Sequence, residues 1–430
     1  MEIEYDVLKS VMIDRLKAKY NPVPKLIHDR AFQELEYICN NKQVQKIINI
    51  TKISDFAAKY QIPLVLEGTS SGSLILYLLG VSICNPLPAH YICHNCHQYE
   101  FSNLANYGLD LPIKICSDCG KDMIRDGYNI PLETIWHGGE GILYFNFMTI
   151  PIFLEMAEEK LKEIYGWDQV VTCGIYDKNI LKANDKKIIH SGFYILPDDK
   201  TIEDYMMYKN RLSSGEICLL IPHNRDNGDI DQILMQPLCE LEELKWFSDV
   251  TLNSPNSLPC DYRQPLSIIN SGILKEIPFM PESLVNEFLK IHGTMNIEVL
   301  VGLYSAHISS YKEGYNPEEY LINQKGDINK YLCDREDAFS LLQNFGIDID
   351  TAATAYRYIW KGMGYKAFVG IEDKVPEWFK IVADNVLYLF PRAHVVPRMI
   401  FSLQLIQYRN EIQEGYKFFH TFNKTSTYSP

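Results

Sequence analysis

The chain has 430 residues, 47% of them hydrophobic, which is enough material for two or three packed domains. A formal charge of −14 argues against a protein that coats nucleic acid by charge alone, while leaving room for a local basic groove on an acidic body. No run approaches the ~18–20 uninterrupted apolar residues of a membrane span. The acidic start Met1-Glu-Ile-Glu-Tyr-Asp6 has no secretory signal, so a cytoplasmic location without membrane contact is expected.

In residues 2–20, Val7, Leu8, Val11, Met12 and Leu16 recur at helical spacing, and Asn21-Pro-Val-Pro24 ends that helix. A second helix is expected over 26–40. Residues 62–66 read as a short buried strand running into Glu67 and a small-residue loop: Gly68, Thr69, Ser70, Ser71, Gly72 and Ser73. An apolar helix follows over 74–79. Strand, Gly/Ser loop and helix is a geometry in which backbone amides cradle phosphate, although any tight strand-to-helix turn also favours glycine.

The strongest signal lies at 85–134. It reads Asn85-Pro-Leu-Pro-Ala-His-Tyr91, then Cys93-x-x-Cys96, Cys116-x-x-Cys119 and Asp126-Gly-Tyr-Asn-Ile-Pro-Leu-Glu-Thr134. Each Cys-x-x-Cys knuckle bends the backbone so that two thiolates meet one tetrahedral Zn²⁺, and four soft ligands leave no position for a catalytic water. The spacing therefore predicts a structural zinc ribbon held by Cys93, Cys96, Cys116 and Cys119. His94 and His97 are expected beside the site rather than on the metal, and the seven remaining cysteines as reduced, mostly buried thiols.

Beyond the ribbon, strands are expected over 141–147, 170–172 and 193–196, with His190-Ser-Gly192 as the turn into the last, and a helix over 152–165. Residues 198–232 look irregular. Asn, Ser and Pro cluster over 253–265 and mark a domain boundary. Helical spacing then continues through 282–292, 296–310, 317–322, 334–344, 349–361, 376–390 and 396–412.

This string of motifs resembles the palm of PolC, the C-family DNA polymerase III alpha chain of Gram-positive bacteria. Leu109-Asp-Leu-Pro112 lies between the two knuckles, as in that family. Cys333-Asp-Arg-Glu-Asp337, Lys361-Gly-Met-Gly364, Val375-Pro-Glu-Trp-Phe379 and Tyr388-Leu-Phe-Pro-Arg-Ala-His394 follow in the order of its fingers. The resemblance covers roughly residues 60–415. It implies an α+β fold: an N-terminal helical segment over 1–60, a nucleotidyltransferase-like palm over 61–252 with the ribbon inserted at 85–135, and helical fingers over 253–430. The chain reads as a palm-and-fingers remnant, without the phosphoesterase, exonuclease or oligonucleotide-binding parts of that family, and without a Gln-x-x-Leu-Phe clamp-binding peptide.

The resemblance also says where the polymerase chemistry belongs. The family holds two Mg²⁺ ions with an Asp-x-Asp pair ahead of Leu-Asn-Phe and with a third aspartate on a later strand. Matching Asn146-Phe147 to that pattern puts Ile142 and Tyr144 at the paired positions, and the third falls on Gln236. Neutral side chains cannot replace these hard ligands. Glu67 stands where the family carries an arginine ahead of its Gly-Ser loop. The expectation is a catalytically inactive homologue, with Zn²⁺ as a structural ion and DNA or replisome proteins as partners. The alternative is an active polymerase or nucleotidyltransferase that needs Mg²⁺ and uses relocated carboxylates, for which Asp229 and Asp231, or else Asp198 and Asp199, are the candidates. Arg392, His394 and Lys361 match fingers positions near the incoming nucleotide and stand between nucleotide contact and helix packing.

Overall fold

A computed structural model describes residues 2–176, 188–221, 230–251, 262–273, 277–317 and 332–412. The chain is divided between two compact units, one built from 46–67 and 144–258, the other from 1–45, 68–143 and 259–430. It is a mixed α+β protein, and among the described residues no helix is long and apolar enough to cross a membrane.

The first unit is organised on a seven-stranded mixed sheet. Its strands are β1 (Leu64–Glu67), β5 (Phe145–Thr149), β6 (Val170–Tyr176), β7 (Ile188–Ile195), β8 (Lys209–Arg211), β9 (Ile217–Leu219) and β10 (Asp231–Pro237), in the order β1-β5-β10-β7-β6-β9-β8. Alternation sends Phe145, Phe147, Phe193, Ile233 and Met235 into the buried layer. Helix α5 (Pro151–Tyr165) packs against β6, β7 and β10 there. Phe56 of α3 (Val44–Lys59) meets Phe153 of α5, with ring centroids 6.3 Å apart. Helix α6 (Cys239–Thr251) closes the unit and buries Leu241, Leu244 and Phe247.

Three strand expectations change, the first being that 198–232, expected to be irregular, carries β8, β9 and the start of β10. The strand expected over 141–147 begins later, at Phe145. His190, Ser191 and Gly192 lie inside β7 rather than in a turn before it. Between the paired positions Thr172↔Phe193 and Gly174↔His190, β7 carries one residue more than β6. Gly192 sits there at φ 126°, and a Cβ would lie 2.2 Å from the Ile233 carbonyl oxygen, so glycine is required. A bulge glycine and a turn glycine give the same sequence signal.

The second unit holds α1 (Glu2–Lys19), α2 (Lys25–Asn40), the short α4 (Leu74–Leu78) and the C-terminal helices. A three-stranded antiparallel sheet carries the cysteine knuckles, with β2 (His90–Ile92) between β3 (Tyr99–Phe101) and β4 (Ile124–Asp126). The helices are α7 (Arg263–Asn270), α8 (Glu282–His292), α9 (Ile297–Ile308), α10 (Arg335–Asn344), α11 (Ile349–Trp360), α12 (Gly364–Ala367), α13 (Glu377–Asn385) and α14 (Arg392–Glu411). Side chains cap three of them: Asn296, Asp334 and Asp348 accept from the backbone amides of Val299, Asp337 and Thr351.

The helix expected over 376–390 stops at Asn385, because β12 (Val386–Tyr388) pairs with β11 (Ser310–Tyr311) instead of continuing the helix. The last helix begins at Arg392, ahead of Pro397. The expected helix at 317–322 lies outside the described residues beyond Pro317.

Candidate functional site

Strands β1, β5 and β10 lie side by side, and their register sets which side chains share a face. On the face opposite the Phe145–Ile233 layer, Glu67, Asn146 and Leu234 form one row across the three strands, and Val65, Met148 and Gln236 the next. Of those six side chains only Glu67 carries a carboxylate. Tyr144 stands immediately before β5 and is 63% exposed; Ile142 is 59% exposed. Asp231 opens β10, where its carboxylate takes the Lys46 Nζ at 2.6 Å, and Asp229 lies outside the described residues.

The loop at 68–73 folds as a single 3₁₀ turn over Thr69–Gly72, entered through Gly68 at φ 84°. Ser71 and Ser73 are engaged within the chain. The Ser71 hydroxyl donates to the Ala393 carbonyl at 2.7 Å, and the Ser71 carbonyl accepts from Ser82 at 2.6 Å. Ser73 caps α4 by accepting from the Leu76 amide. The Leu74 amide donates at 2.9 Å to Glu34, whose other oxygen takes the Trp136 indole N–H. The anion at this helix start is therefore the protein's own buried Glu34. Gly72 is packed tightly, since a Cβ would stand 3.1 Å from Ile130 and 3.2 Å from both Ala393 and Ile135.

The Ser71 bond has a cause in α14. Pro397 has no N–H, so the Ala393 carbonyl loses its partner four residues on. The Ser71 hydroxyl supplies the missing donor.

The four cysteines converge. All four Sγ atoms lie within 4.8 Å of one another, and neighbouring sulfurs are 3.2, 3.4 and 3.8 Å apart. A tetrahedral Zn²⁺ with bonds of ~2.3 Å needs sulfurs about 3.8 Å apart, so the residues fit such an ion. The knuckles repeat one geometry. The Cys93 amide donates to Gln98 O and the His97 amide to Cys93 O, just as the Cys116 amide donates to Lys121 O and the Gly120 amide to Cys116 O. His97 and Gly120 hold the equivalent left-handed position, at φ 58° and 69°. His94 is exposed on the knuckle. Among the described residues, this is the one grouping of three or more Cys, His, Asp or Glu side chains placed to share a metal ion.

Arg392 lines a cleft of about 920 Å³ together with Arg30, Pro88, Asn129 and Asp337. Its guanidinium is nonetheless saturated. Nε and Nη2 reach Asp334 at 2.9 and 3.2 Å, Nη2 reaches Asp337 at 2.7 Å, and Nη1 reaches the Tyr128 and Asn129 carbonyls at 3.3 and 2.8 Å. Burial opposes the charge on Arg392, but Asp334, Tyr107, Asp337 and Glu336 more than reverse that, so it stays ionised. Glu336 accepts the Arg392 backbone amide at 2.7 Å. Its carboxyl is pushed up to about 7 by burial and by Asp334.

His394 packs at a tilt against Phe390 with centroids 4.9 Å apart, and burial, with Arg398 and Arg335 nearby, holds its imidazole down at about 3. Lys361 ends α11 and is exposed, its Nζ 5.0 Å from the Trp360 ring centroid. Two groups that the sequence reading did not single out thus govern this region: Glu34 under the small-residue loop, and the Asp334/Asp337 pair around Arg392. The second was legible, since Asp334-x-x-Asp337 has capping-box spacing. Nothing local marks Glu34, whose partners are 40 and 102 residues away.

Comparison with known proteins finds relatives over nearly the whole chain. The chain is 21% identical to the DNA polymerase III PolC-type of Staphylococcus saprophyticus over 95% of its own length. It is 23% identical to that of Thermotoga maritima and 22% identical to that of Oceanobacillus iheyensis, over 94% of its length in each case. The chain is a divergent PolC homologue. It spans about a third of the length of these relatives, 32–34%. No family model matches the chain.

Proposed function

We propose that this PolC homologue keeps a palm-and-fingers framework, stapled by a zinc ribbon, and binds nucleic acid or a replisome protein without polymerising. The observation that carries this reading is the strand face built by Glu67, Asn146, Leu234, Val65, Met148 and Gln236. Two Mg²⁺ ions need several carboxylates aimed at one point, and these six positions offer one, Glu67. The residues matched to the family's aspartates are Ile142, Tyr144 and Gln236, and they do not fit a pair of divalent ions. Asp231 is engaged by Lys46. In the small-residue loop the Ser71 hydroxyl is spent on Ala393, and Arg392 spends its donors on Asp334, Asp337 and two carbonyls, which favours packing roles for both residues.

Primer extension with Mg²⁺ or Mn²⁺ on a primer–template tests this reading, with no incorporation expected. Robust incorporation that disappears in Asp229→Ala and Asp231→Ala overturns it in favour of relocated carboxylates. Binding is read separately by fluorescence anisotropy on the same duplex, where an affinity that falls with salt marks phosphate contacts.

A further inference from the structure

The four-cysteine module shares its backbone with two grips on helices far along the chain. One grip is Asp110. Its two carboxylate oxygens accept the first amides of α9, from Ile297 at 2.8 Å and from Glu298 at 2.9 Å. The other is the pair of carbonyls at Tyr128 and Asn129, which hold Nη1 of Arg392 at the start of α14.

Both grips are braced on the cysteine cluster. Leu111, next to Asp110, belongs to the same buried cluster as Cys93, Cys116, Ala89, Tyr91 and Met123. Arg125 of β4 donates to the Leu111 carbonyl at 2.8 Å, and the Gly108 amide donates to the Gly127 carbonyl at 2.7 Å. A Cβ at Gly108 would lie 2.1 Å from Asp126 O, so the segments at 108 and 126 touch backbone to backbone. Strand β2 leads directly into Cys93 and pairs with β4, which leads into Gly127, Tyr128 and Asn129.

We propose that metal loading of the four-cysteine site works a latch: the loaded module holds α9 through Asp110 and α14 through the Tyr128 and Asn129 carbonyls, and loss of the metal releases both helix starts while the seven-stranded unit stays folded. Metal binding orders the segments that carry its ligands, so part of its free energy appears as order in the neighbouring 108–129 backbone. Four clustered thiols without an ion lose that anchor, and Leu111 and β4 lose the wall they pack on. The latch is independent of whether the chain polymerises, and its readout does not depend on activity.

Hydrogen exchange of the full chain, first zinc-loaded, then stripped with EDTA and then reloaded with Zn²⁺, tests the latch. Peptides covering 297–300 and 392–396 are expected to exchange roughly tenfold faster or more without the metal and to recover on reloading, while peptides covering 145–149 and 231–237 stay protected. A change confined to 88–126 overturns the latch, because the metal then folds only its own module. Loss of protection in the seven-stranded unit overturns it as well, because the metal is then a general folding requirement.

In zinc-loaded Asp110→Asn, the 297–300 peptide is expected to exchange at the stripped rate while 392–396 keeps its protection. Unchanged exchange at 297–300 overturns the role of Asp110. Weaker zinc retention in this variant supports the latch, since coupling between the two sites is reciprocal.

Discussion

Replacing Ser71 by Ala tests whether the small-residue loop is a packing device. The hydroxyl donates at 2.7 Å to the Ala393 carbonyl, whose helical donor is missing because residue 397 is proline. Removing that hydroxyl leaves a buried carbonyl without a partner, which costs about 1–3 kcal/mol. Pro397→Ala restores an N–H four residues beyond Ala393. In that background the carbonyl is satisfied by its own helix, and Ser71→Ala is expected to cost less than about 1 kcal/mol. The double-mutant cycle should therefore return a coupling of about 1–2 kcal/mol between residues that are 326 apart in sequence, 397 minus 71. A chain with two compact units need not unfold in one step, so the free energies are best read from native-state hydrogen exchange of peptides in 69–78 and 392–400. Equal costs of Ser71→Ala in both backgrounds would refute the argument. So would a Ser71→Ala protein of unchanged stability that had lost nucleotide binding.

Three further outcomes follow from the geometry. Arg392→Lys keeps a positive charge but cannot reach two carboxylates and two carbonyls at once; with a buried charge network left incomplete, protection of the α10 and α14 starts should fall by about 3–5 kcal/mol, read by the same exchange experiment. His394 is neutral in the folded chain, with its imidazole held down at about 3, whereas the unfolded chain takes up a proton near 6.5. Its contribution is therefore complete above pH 6.5 and is lost as pH falls toward 3, by up to about 1.4 kcal/mol per pH unit, so urea midpoints of His394→Gln should decline less steeply between pH 7 and 5 than those of the parent. Gly192→Ala forces a side chain into the Ile233 carbonyl at a positive φ, and should cost more than about 3 kcal/mol in the seven-stranded unit alone, visible as lost protection in β7 and β10.

Periodicity located most helices to within one or two residues, because each buries a stripe whose spacing is written locally: Ile27, Ala31, Leu35 and Ile38 on α2, or Ala352, Ala355, Tyr356 and Ile359 on α11. It did not anticipate α3, α6 or α7, and it erred where a distant partner decides the backbone. Pro397 looks like the place where a helix must start, yet α14 begins five residues earlier because Ser71 takes up the carbonyl that proline strands. His190, Ser191 and Gly192 look like a turn, but they form part of a strand because Ile233 and Leu234 lie against Gly192. Arg392, His394 and the small-residue loop carried the right residue types for anion contact. What sequence spacing cannot express is that Asp334 and Asp337 already pair with Arg392, that burial keeps His394 neutral, and that Glu34 takes the Leu74 amide.

The sequence by itself determined the four-cysteine site, the kinship with PolC, and the neutral residues at Ile142, Tyr144 and Gln236, since ligand spacing, motif order and residue identity are one-dimensional facts. The tertiary structure alone decided what the surrounding polar groups are free to do. Buried donors and acceptors must find partners, and here Ser71, Glu34, Asp110 and Arg392 find theirs across tens to hundreds of residues. Only the folded chain shows that their capacity is spent on holding the second unit together.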